Sequence, residues 1–229
     1  MEKKKTLLEQ FINEQVIKID NKRKEMADSG TPFLPVIAFS TSPGSLGSKM
    51  AQIIASELGF DFYHREIIKE VAKSADISPS LVEGIEKERF SGVEDFIASL
   101  VRKNYIWPGL YLEHIKRVVN AIGDKGHGVI VGRGAGFILP PKKRLSVRTV
   151  APFEKRKENI MREFDATESQ AEERIRTREA RRKDYIKKSF NADIDDPVMY
   201  DMVINTGDMS IEACAEAVKL FYSKKFSIS

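Results

Sequence analysis

Hydrophobic residues near the amino terminus follow a helical period. Over residues 4–28 they recur at three- and four-residue steps with Lys and Glu between them: Leu7, Leu8, Phe11, Ile12, Val16 and Ile19. This spacing predicts an amphipathic helix, and the turn-forming residues Ser29–Pro32 end it. We therefore predict an N-terminal helical extension over residues 1–32, followed by a domain over residues 33–229. The extension could pack on its own chain or form a homodimer contact.

Short apolar runs typical of strands alternate with helical patterns in the rest of the chain. The predicted strands cover residues 35–40, 60–63, 128–131, 145–150 and 202–205. Helical patterns cover residues 50–58, 64–122, 152–164, 168–189 and 210–224. Strands that alternate with helices predict an α/β fold with a five-stranded parallel sheet and helices on both faces.

Composition excludes several other classes of protein. The 229 residues are 41% hydrophobic, enough to build a core, which argues against wholesale disorder. No apolar run is long enough to cross a membrane, and the N-terminus lacks the apolar block of a secretory signal. The single cysteine, Cys214, excludes an internal disulfide framework. We expect a cytoplasmic protein without a membrane partner.

The net charge of +4 is unevenly distributed. Residues 142–188 carry a net +7 and the remainder of the chain −3. Four arginines of the predicted helix 168–189 share one face: Arg174, Arg178, Arg181 and Arg182. This face could neutralise a phosphoryl group during transfer, or it could belong to a surface helix with Glu–Arg pairs. Nucleic-acid binding is disfavoured because few aromatic residues interleave with the basic ones.

A glycine loop, Ser42–Ser48, connects the first strand to the next helix. A strand, a glycine-rich turn and a helix together favour phosphate binding, because backbone N–H groups and the helix dipole face the anion. Compared with G-x-x-x-x-G-K-[ST], the loop has Ser42 for the first Gly, Ser48 for Lys, and Lys49 for Ser/Thr. Lys49 could supply the charge while Ser48 binds the metal, or the cradle could bind phosphate without efficient transfer. An ordinary strand-to-helix turn is the remaining interpretation.

Further candidate residues follow the later strands. Arg133, in the turn Gly132–Gly134, could bind a phosphate or pair with a carboxylate. Asn205 and Thr206, after the fifth strand, could contact a base or cap the last helix. Asp193, Asp195 and Asp196 precede Pro197 and favour a loop or a helix cap over a metal cluster. We expect Trp107 and its neighbours Tyr105 and Tyr111 to pack in the core or in a lid.

Several of these segments resemble the cytidylate-kinase-like family of P-loop proteins. The resemblance rests on Ile37–Ser40, Gly44–Gly47, Leu58–Tyr63, Val131–Ala135, Arg182–Tyr185 and Asp196–Thr206. It implies a nucleoside-monophosphate-kinase fold. It also implies a protein that uses ATP and Mg²⁺ to phosphorylate a cytidine-type nucleotide or another small phosphate acceptor.

The resemblance also implies roles for particular residues. The donor phosphate loop would consist of Gly44, Ser45, Leu46, Gly47, Ser48 and Lys49, with Ser48 as the metal ligand. Arg133 would contact the acceptor phosphate, and the lid would use Arg178, Arg181 and Arg182. Asn205 and Thr206 would lie near the donor base.

This sequence departs from that family at three positions. Ser48 replaces the P-loop Lys, His64 replaces an acidic residue after the second strand, and Gly134 replaces the Asp that helps to read cytosine. Two hypotheses therefore stand: a phosphotransferase in which Lys49 substitutes for the missing Lys, and a non-catalytic nucleotide-binding or phosphate-binding protein.

Overall fold

The computed structural model describes residues 2–64 and 108–228. Its helices are α1 (Glu2–Asp28), α2 (Gly47–Leu58), α3 (Pro108–Lys125), α4 (Ala135–Ile138), α5 (Phe153–Phe164), α6 (Glu168–Phe190) and α7 (Ile211–Phe226). Its strands are β1 (Val36–Thr41), β2 (Asp61–Tyr63), β3 (Gly128–Val131), β4 (Arg144–Val150) and β5 (Met202–Asn205). All five predicted strands are present, and their ends agree with the prediction to within one residue.

The five strands form one sheet in the order β2-β3-β1-β4-β5. β1 runs parallel to both β3 and β4, and β4 runs parallel to β5. The predicted fold class, a five-stranded parallel sheet with helices, is therefore confirmed. β1 is central and buried over its first four residues, which explains its continuous apolar run, because a parallel strand covered on both faces needs no polar alternation.

The two faces of the sheet differ in polarity. One face carries Ile37 and Phe39 of β1 and packs against Met50 and Ile54 of α2 and Val218 of α7. On the other face, β1 and β4 align Ala38 with Ser146 and Ser40 with Arg148. Helix α4 lies close to this second face: a Cβ atom on Gly136 would come within 2.7 Å of Ser146 Oγ. The polar face therefore needs small residues where a helix approaches and hydrogen-bond partners elsewhere.

The chain divides into two compact units, one of residues 34–62 and 126–229, the other of residues 1–33 and 63–125. In the second unit, helix α1 packs against α3, where Ile12, Ile115 and Val119 are buried. The guanidinium of Arg117 donates to Asn13 Oδ1 across this contact. Helix α1 thus packs on its own chain, as one of the two interpretations expected, and a homodimer contact through it stays a prediction.

Two groups of expectations concern residues 65–107, which lie outside the described residues. They are the early part of the predicted helical segment 64–122 and the packing of Trp107 and Tyr105. Within the described residues, no helix is both long and apolar enough to cross a membrane.

Asp201 joins three parts of the first unit just before β5. Its Oδ2 atom accepts from Arg144 (3.1 Å), from the Ser146 backbone N–H (2.8 Å) and from Lys225 of α7 (2.6 Å). Burial lowers the pKa of Arg144, and the neighbouring Asp201 carboxylate opposes that shift. The Arg144 charge is therefore balanced chiefly by one carboxylate.

We predict that Asp201→Asn destabilises the protein by about 2 kcal/mol, because it leaves the buried Arg144 charge poorly compensated. Urea unfolding followed by circular dichroism measures this loss. Asp208→Asn, at an exposed position after β5, should shift the midpoint little. Equal midpoints for both variants would contradict the role assigned to Asp201.

Candidate functional site

Three loops meet at the edge of the sheet where the parallel strands end. The glycine loop follows β1, the Gly132–Gly134 turn follows β3, and residues 151–152 connect β4 to α5. β1 lies between β3 and β4, so the glycine loop is at the centre of this edge. Open α/β sheets bind ligands at such a position, beyond the carboxyl ends of their strands.

The glycine loop adopts a conformation that requires its glycines. Gly44 has φ +79° and Leu46 has φ +57°, both in the left-handed region. A Cβ atom on Gly44 would collide with the Arg156 backbone carbonyl, and one on Gly47 with the Thr149 hydroxyl. The two glycines therefore let the loop lie directly against α5 and β4.

Every carbonyl oxygen from residue 41 to residue 46 has a hydrogen-bond donor. The donors are the Arg182 guanidinium for Thr41, Ser45 Oγ (2.8 Å) for Ser42, and Arg156 (3.4 Å) for Pro43. Gly44 accepts from Asn159 (2.9 Å), Ser45 from the Thr206 hydroxyl (2.8 Å), and Leu46 from the Met50 N–H (3.1 Å). The oxygens that would repel an anion are thus all engaged by the protein itself.

The backbone N–H groups of the same segment are arranged differently. In the described part of the chain, no acceptor contacts the N–H groups of Gly44 and Leu46. Gly47, Ser48 and Lys49 form the first turn of α2, whose first helical hydrogen bond comes from Met50. A helix start with unused N–H groups and a left-handed residue before it can bind an anion such as phosphate. The unused N–H groups make this loop a candidate phosphate site.

The hydroxyls of Ser45 and Thr149 stabilise the loop on the side that faces the sheet. Both are fully buried, and their hydroxyls lie 2.9 Å apart. The Thr149 carbonyl also accepts from the Ser42 N–H at 2.9 Å. Thr149 of β4 therefore supports the loop from the apolar face of the sheet. The sequence of the loop alone could not predict this contact.

Asn205 and Thr206 have different contacts. The buried Thr206 hydroxyl donates to the loop carbonyl of Ser45 and also lies 3.2 Å from the Val150 carbonyl. The exposed Asn205 side chain accepts from the Gly207 N–H at 2.9 Å. Neither residue caps the last helix, because Ser210 performs that function by accepting from the Ala213 N–H. Thr206 is thus a support of the glycine loop, and its predicted position near a donor base stays a prediction.

Ser48 and Lys49 begin helix α2. Ser48 is half-buried and Lys49 is exposed, and Lys49 forms no ion pair within residues 2–64 and 108–228. No group of three metal-binding side chains is present in that part of the chain. In P-loop enzymes a Ser or Thr hydroxyl of the loop is one of the groups that hold Mg²⁺, and the Ser48 hydroxyl is of this kind.

The Gly132–Gly134 turn places Arg133 at the end of β3. Its three residues have φ values of +79°, +59° and +67°, and the Gly132 N–H donates to Phe39 of β1 at 2.8 Å. The ring of Phe190 occupies the space that a side chain on Gly134 would need. An acidic residue at this position would have to displace Phe190, which gives the departure at Gly134 a steric reason.

The four arginines of α6, the arginine helix, have two kinds of surroundings. Arg174 and Arg178 lie over the ring of Phe164 on α5, with guanidinium-to-centroid distances of 3.9 Å and 5.9 Å. Arg182 reaches the Thr41 carbonyl at the glycine loop, and Arg181 is half-buried. The common face is therefore present, and Arg182 contacts the residue before the glycine loop. We call the carboxyl-terminal part of α6, around Arg182, its inner end.

Helices α5 and α6 form a hairpin with its own ion pairs. Lys157 is surrounded by Glu154 (2.7 Å), Glu168 (2.5 Å) and Glu172 (3.5 Å), and hydrogen bonds to Glu154 and Glu168 raise its pKa. Thr167 and Gln170 form a capping box at the start of α6. Arg176 lies over the ring of Phe153, with 5.2 Å between its guanidinium and the ring centroid, and Glu172 pairs with Lys157.

Sequence reasoning missed three residues of this edge: Arg148, Arg156 and Asn159. Arg156 contacts Pro43 of the loop and also pairs with Glu179 of the arginine helix at 2.6 Å. Arg148 is buried on β4 and contacts Ser40 and Asp195. A signal for Arg148 was present, because it is the only charge inside the predicted strand 145–150.

The aspartates before Pro197 belong to a loop, as expected. Asp196 caps the short 3₁₀ helix Pro197–Met199, its carboxylate accepting from the Val198 N–H at 3.1 Å. Asp195 pairs with Arg148 and Lys183.

Comparison with known proteins identifies relatives of this chain. The profile of the Cytidylate kinase-like family matches residues 36–208. A cytidylate kinase of Ignicoccus hospitalis is 28% identical over 187 residues, which cover 81% of this chain and 98% of that relative. A cytidylate kinase of Methanocaldococcus jannaschii is 33% identical over 103 residues, which cover 44% of this chain and 58% of that relative.

A solved structure shares the fold. The crystal structure of an uncharacterized protein from Eubacterium ventriosum superposes with a TM-score of 0.61 at 22% identity. The alignment covers 83% of this chain and 98% of that one.

The family profile spans the glycine loop, the Gly132–Gly134 turn, the arginine helix and β5. It covers far more than half of the chain and contains the whole edge of the sheet described above. The chain therefore belongs to the Cytidylate kinase-like family.

Proposed function

We propose that this protein is a phosphotransferase of the nucleoside-monophosphate-kinase type, which transfers the γ-phosphoryl group of ATP to a nucleotide or another small phosphate acceptor. In this reaction an acceptor oxygen forms a bond to the γ-phosphorus, the bond to the bridging oxygen breaks, and ADP leaves. The enzyme's task is chiefly to hold the phosphates in line and to neutralise their charge.

One observation carries the proposal: the carbonyl oxygens of residues 41–46 are held by donors of the protein, whereas most N–H groups of the glycine loop are unused. Five N–H groups at residues 44 and 46–49 are available to donor phosphates. Apart from Ser45 Oγ, the donors to these carbonyls come from α2, α5, α6 and the residue after β5, so the cradle is formed before a ligand arrives. Such preorganisation is what phosphate binding and transfer require.

The charged residues would complete this site. Lys49, exposed beside the loop, would provide the charge that a P-loop Lys normally provides, and Ser48 would hold Mg²⁺. Arg133 would contact the acceptor phosphate, and Arg178, Arg181 and Arg182 would neutralise the phosphoryl group. Mg²⁺ held by the Ser48 hydroxyl would supply positive charge that neutralises the phosphates.

The acceptor need not be cytidylate. The relatives named above are cytidylate kinases, but here Phe190 fills the space beside Gly134. A carboxylate cannot read a base from that position, so we propose that selectivity for cytosine is weak.

A non-catalytic nucleotide-binding protein is the second candidate function. The observation that favours it is Ser48 at the place of the P-loop Lys, with Lys49 exposed and not paired with any carboxylate of residues 2–64 and 108–228. The loop would then bind phosphate while transfer is slow.

A panel of acceptors separates the two candidates. ATP, Mg²⁺ and the common nucleoside monophosphates are incubated with the protein, and ADP formation is measured together with ATP affinity by calorimetry. Turnover with at least one acceptor supports the kinase. Saturable ATP binding without turnover of any acceptor supports the binding protein, and absence of both would defeat the two proposals together.

We predict that Lys49→Ala lowers kcat by about 100-fold, because the mutation removes the charge that would replace that of the P-loop Lys. Steady-state kinetics at saturating ATP measures the effect. Lys142→Ala, which removes another exposed lysine, is the control and should change kcat little. A rate equal to that of the control would remove Lys49 from the mechanism.

We predict that Thr206→Val weakens ATP binding by about five- to tenfold, because the Ser45 carbonyl loses its donor and the loop loses part of its preorganisation. Calorimetric titration with ATP measures the affinity. Thr31→Val, which alters an exposed threonine far along the chain, should leave it unchanged. Undiminished affinity in Thr206→Val would show that the loop does not depend on this hydrogen bond.

A further inference from the structure

Arg148 is a buried charge on the polar face of the sheet. Its side chain is 8% exposed, and its guanidinium donates to Ser40 Oγ at 3.1 Å and to Asp195 Oδ1 at 3.0 Å. A buried guanidinium costs several kcal/mol unless it is paired. Packing alone would be served better by an apolar residue, so the charge needs another explanation.

Asp195 connects Arg148 to the arginine helix. One of its carboxylate oxygens accepts from Arg148, and the other lies 3.4 Å from Lys183 Nζ. Asp195 itself is 58% exposed and belongs to the loop that follows the helix. The carboxylate therefore links a buried cation on β4 to a cation near the inner end of the helix.

Two consecutive residues of the arginine helix are thus connected by polar contacts to two consecutive residues of β1. Arg182 donates directly to the Thr41 carbonyl. Lys183 is tied to Ser40 through Asp195 and Arg148. Ser40 and Thr41 are the last residues of β1, immediately before the glycine loop.

Tyr200 completes the arrangement from the far end of the Asp195 loop. Its hydroxyl donates to the Ile194 carbonyl at 2.7 Å and lies 3.4 Å from Ser40 Oγ. Burial raises the pKa of Tyr200, so this hydroxyl remains a donor at neutral pH. Ser40 therefore receives contacts from both β4 and the loop.

We propose that Arg148 and Asp195 are positioning residues, which hold the inner end of the arginine helix at the end of β1 so that Arg181 and Arg182 face the glycine loop during transfer. This role rests on the proposed function. Neither residue needs to contact a substrate, because they act through Ser40 and Lys183.

Asp195→Asn tests the proposal, since it keeps the side-chain shape and removes the charge between the two cations. A misplacement of about 1 Å costs about 100-fold in rate, so we expect kcat to fall by about 30-fold. The KM for ATP should change by less than about threefold, because the glycine loop keeps its own donors. Glu158→Gln is the matched control: it ends an exposed pair with Lys155 on α5 and should stay within about twofold of wild type.

Chemical rescue separates a charge at Arg148 from a general effect on folding. Asp195→Gly removes the carboxylate, and added formate can take its place between Arg148 and Lys183. We expect formate to restore kcat by about tenfold in Asp195→Gly and to have no effect on the double variant Arg148→Met/Asp195→Gly. Rescue that is equal in both variants would overturn the proposal.

Hydrogen exchange measures helix placement without any substrate. In Asp195→Asn, exchange at the backbone N–H groups of residues 178–190 should rise by about tenfold, whereas Glu158→Gln should match wild type. If wild type shows no turnover with any acceptor, the proposed function fails and this measurement alone decides the positioning role. Exchange in Asp195→Asn equal to that of Glu158→Gln would overturn it.

Discussion

The candidate site depends on one constraint: the carbonyl oxygens of residues 41–46 must point away from the place where phosphate would bind. Each oxygen is held by a donor, and four of these donors are side chains from distant segments, namely Arg182, Arg156, Asn159 and Thr206. A loop of this kind without such donors could rotate a carbonyl toward the anion, and the repulsion would weaken binding. The hairpin α5–α6 and the residue after β5 therefore belong to the candidate site, because they supply donors to its carbonyl oxygens.

The same hairpin explains where the positive charge of the chain is used. The surplus of +7 over residues 142–188 does not lie on one continuous surface. Lys157 forms ion pairs with three carboxylates of the hairpin. Arg174 and Arg178 lie over the ring of Phe164. Arg148, Arg156 and Arg182 point to the sheet edge. A charge distributed in this way suits a small phosphate ligand better than a long polyanion.

Sheet and helix boundaries could be predicted closely because parallel strands buried on both faces leave an unambiguous apolar run, and glycine or proline marks most of their ends. The short helix α4 and the 3₁₀ helices were not predicted, because segments of three or four residues carry no periodicity to detect. The glycine loop and the arginine helix were recognisable from local spacing. Arg156 and Asn159 were not, since on their own helix they look like ordinary polar residues of a surface face.

By itself, the sequence determined the α/β fold, the order of its elements, and the presence of a phosphate-type loop with a neighbouring arginine face. These features follow from local patterns, namely periodicity, turn residues and spacing along one helix. Only the tertiary structure decided which donors hold the loop carbonyls, that Thr206 faces the loop from below, and that Phe190 closes the space beside Gly134. Except for the local donors to the Ser42 and Leu46 carbonyls, each of these contacts joins residues more than 50 positions apart in the chain. Such contacts depend on how the sheet and the hairpin pack and not on any pattern within a single segment.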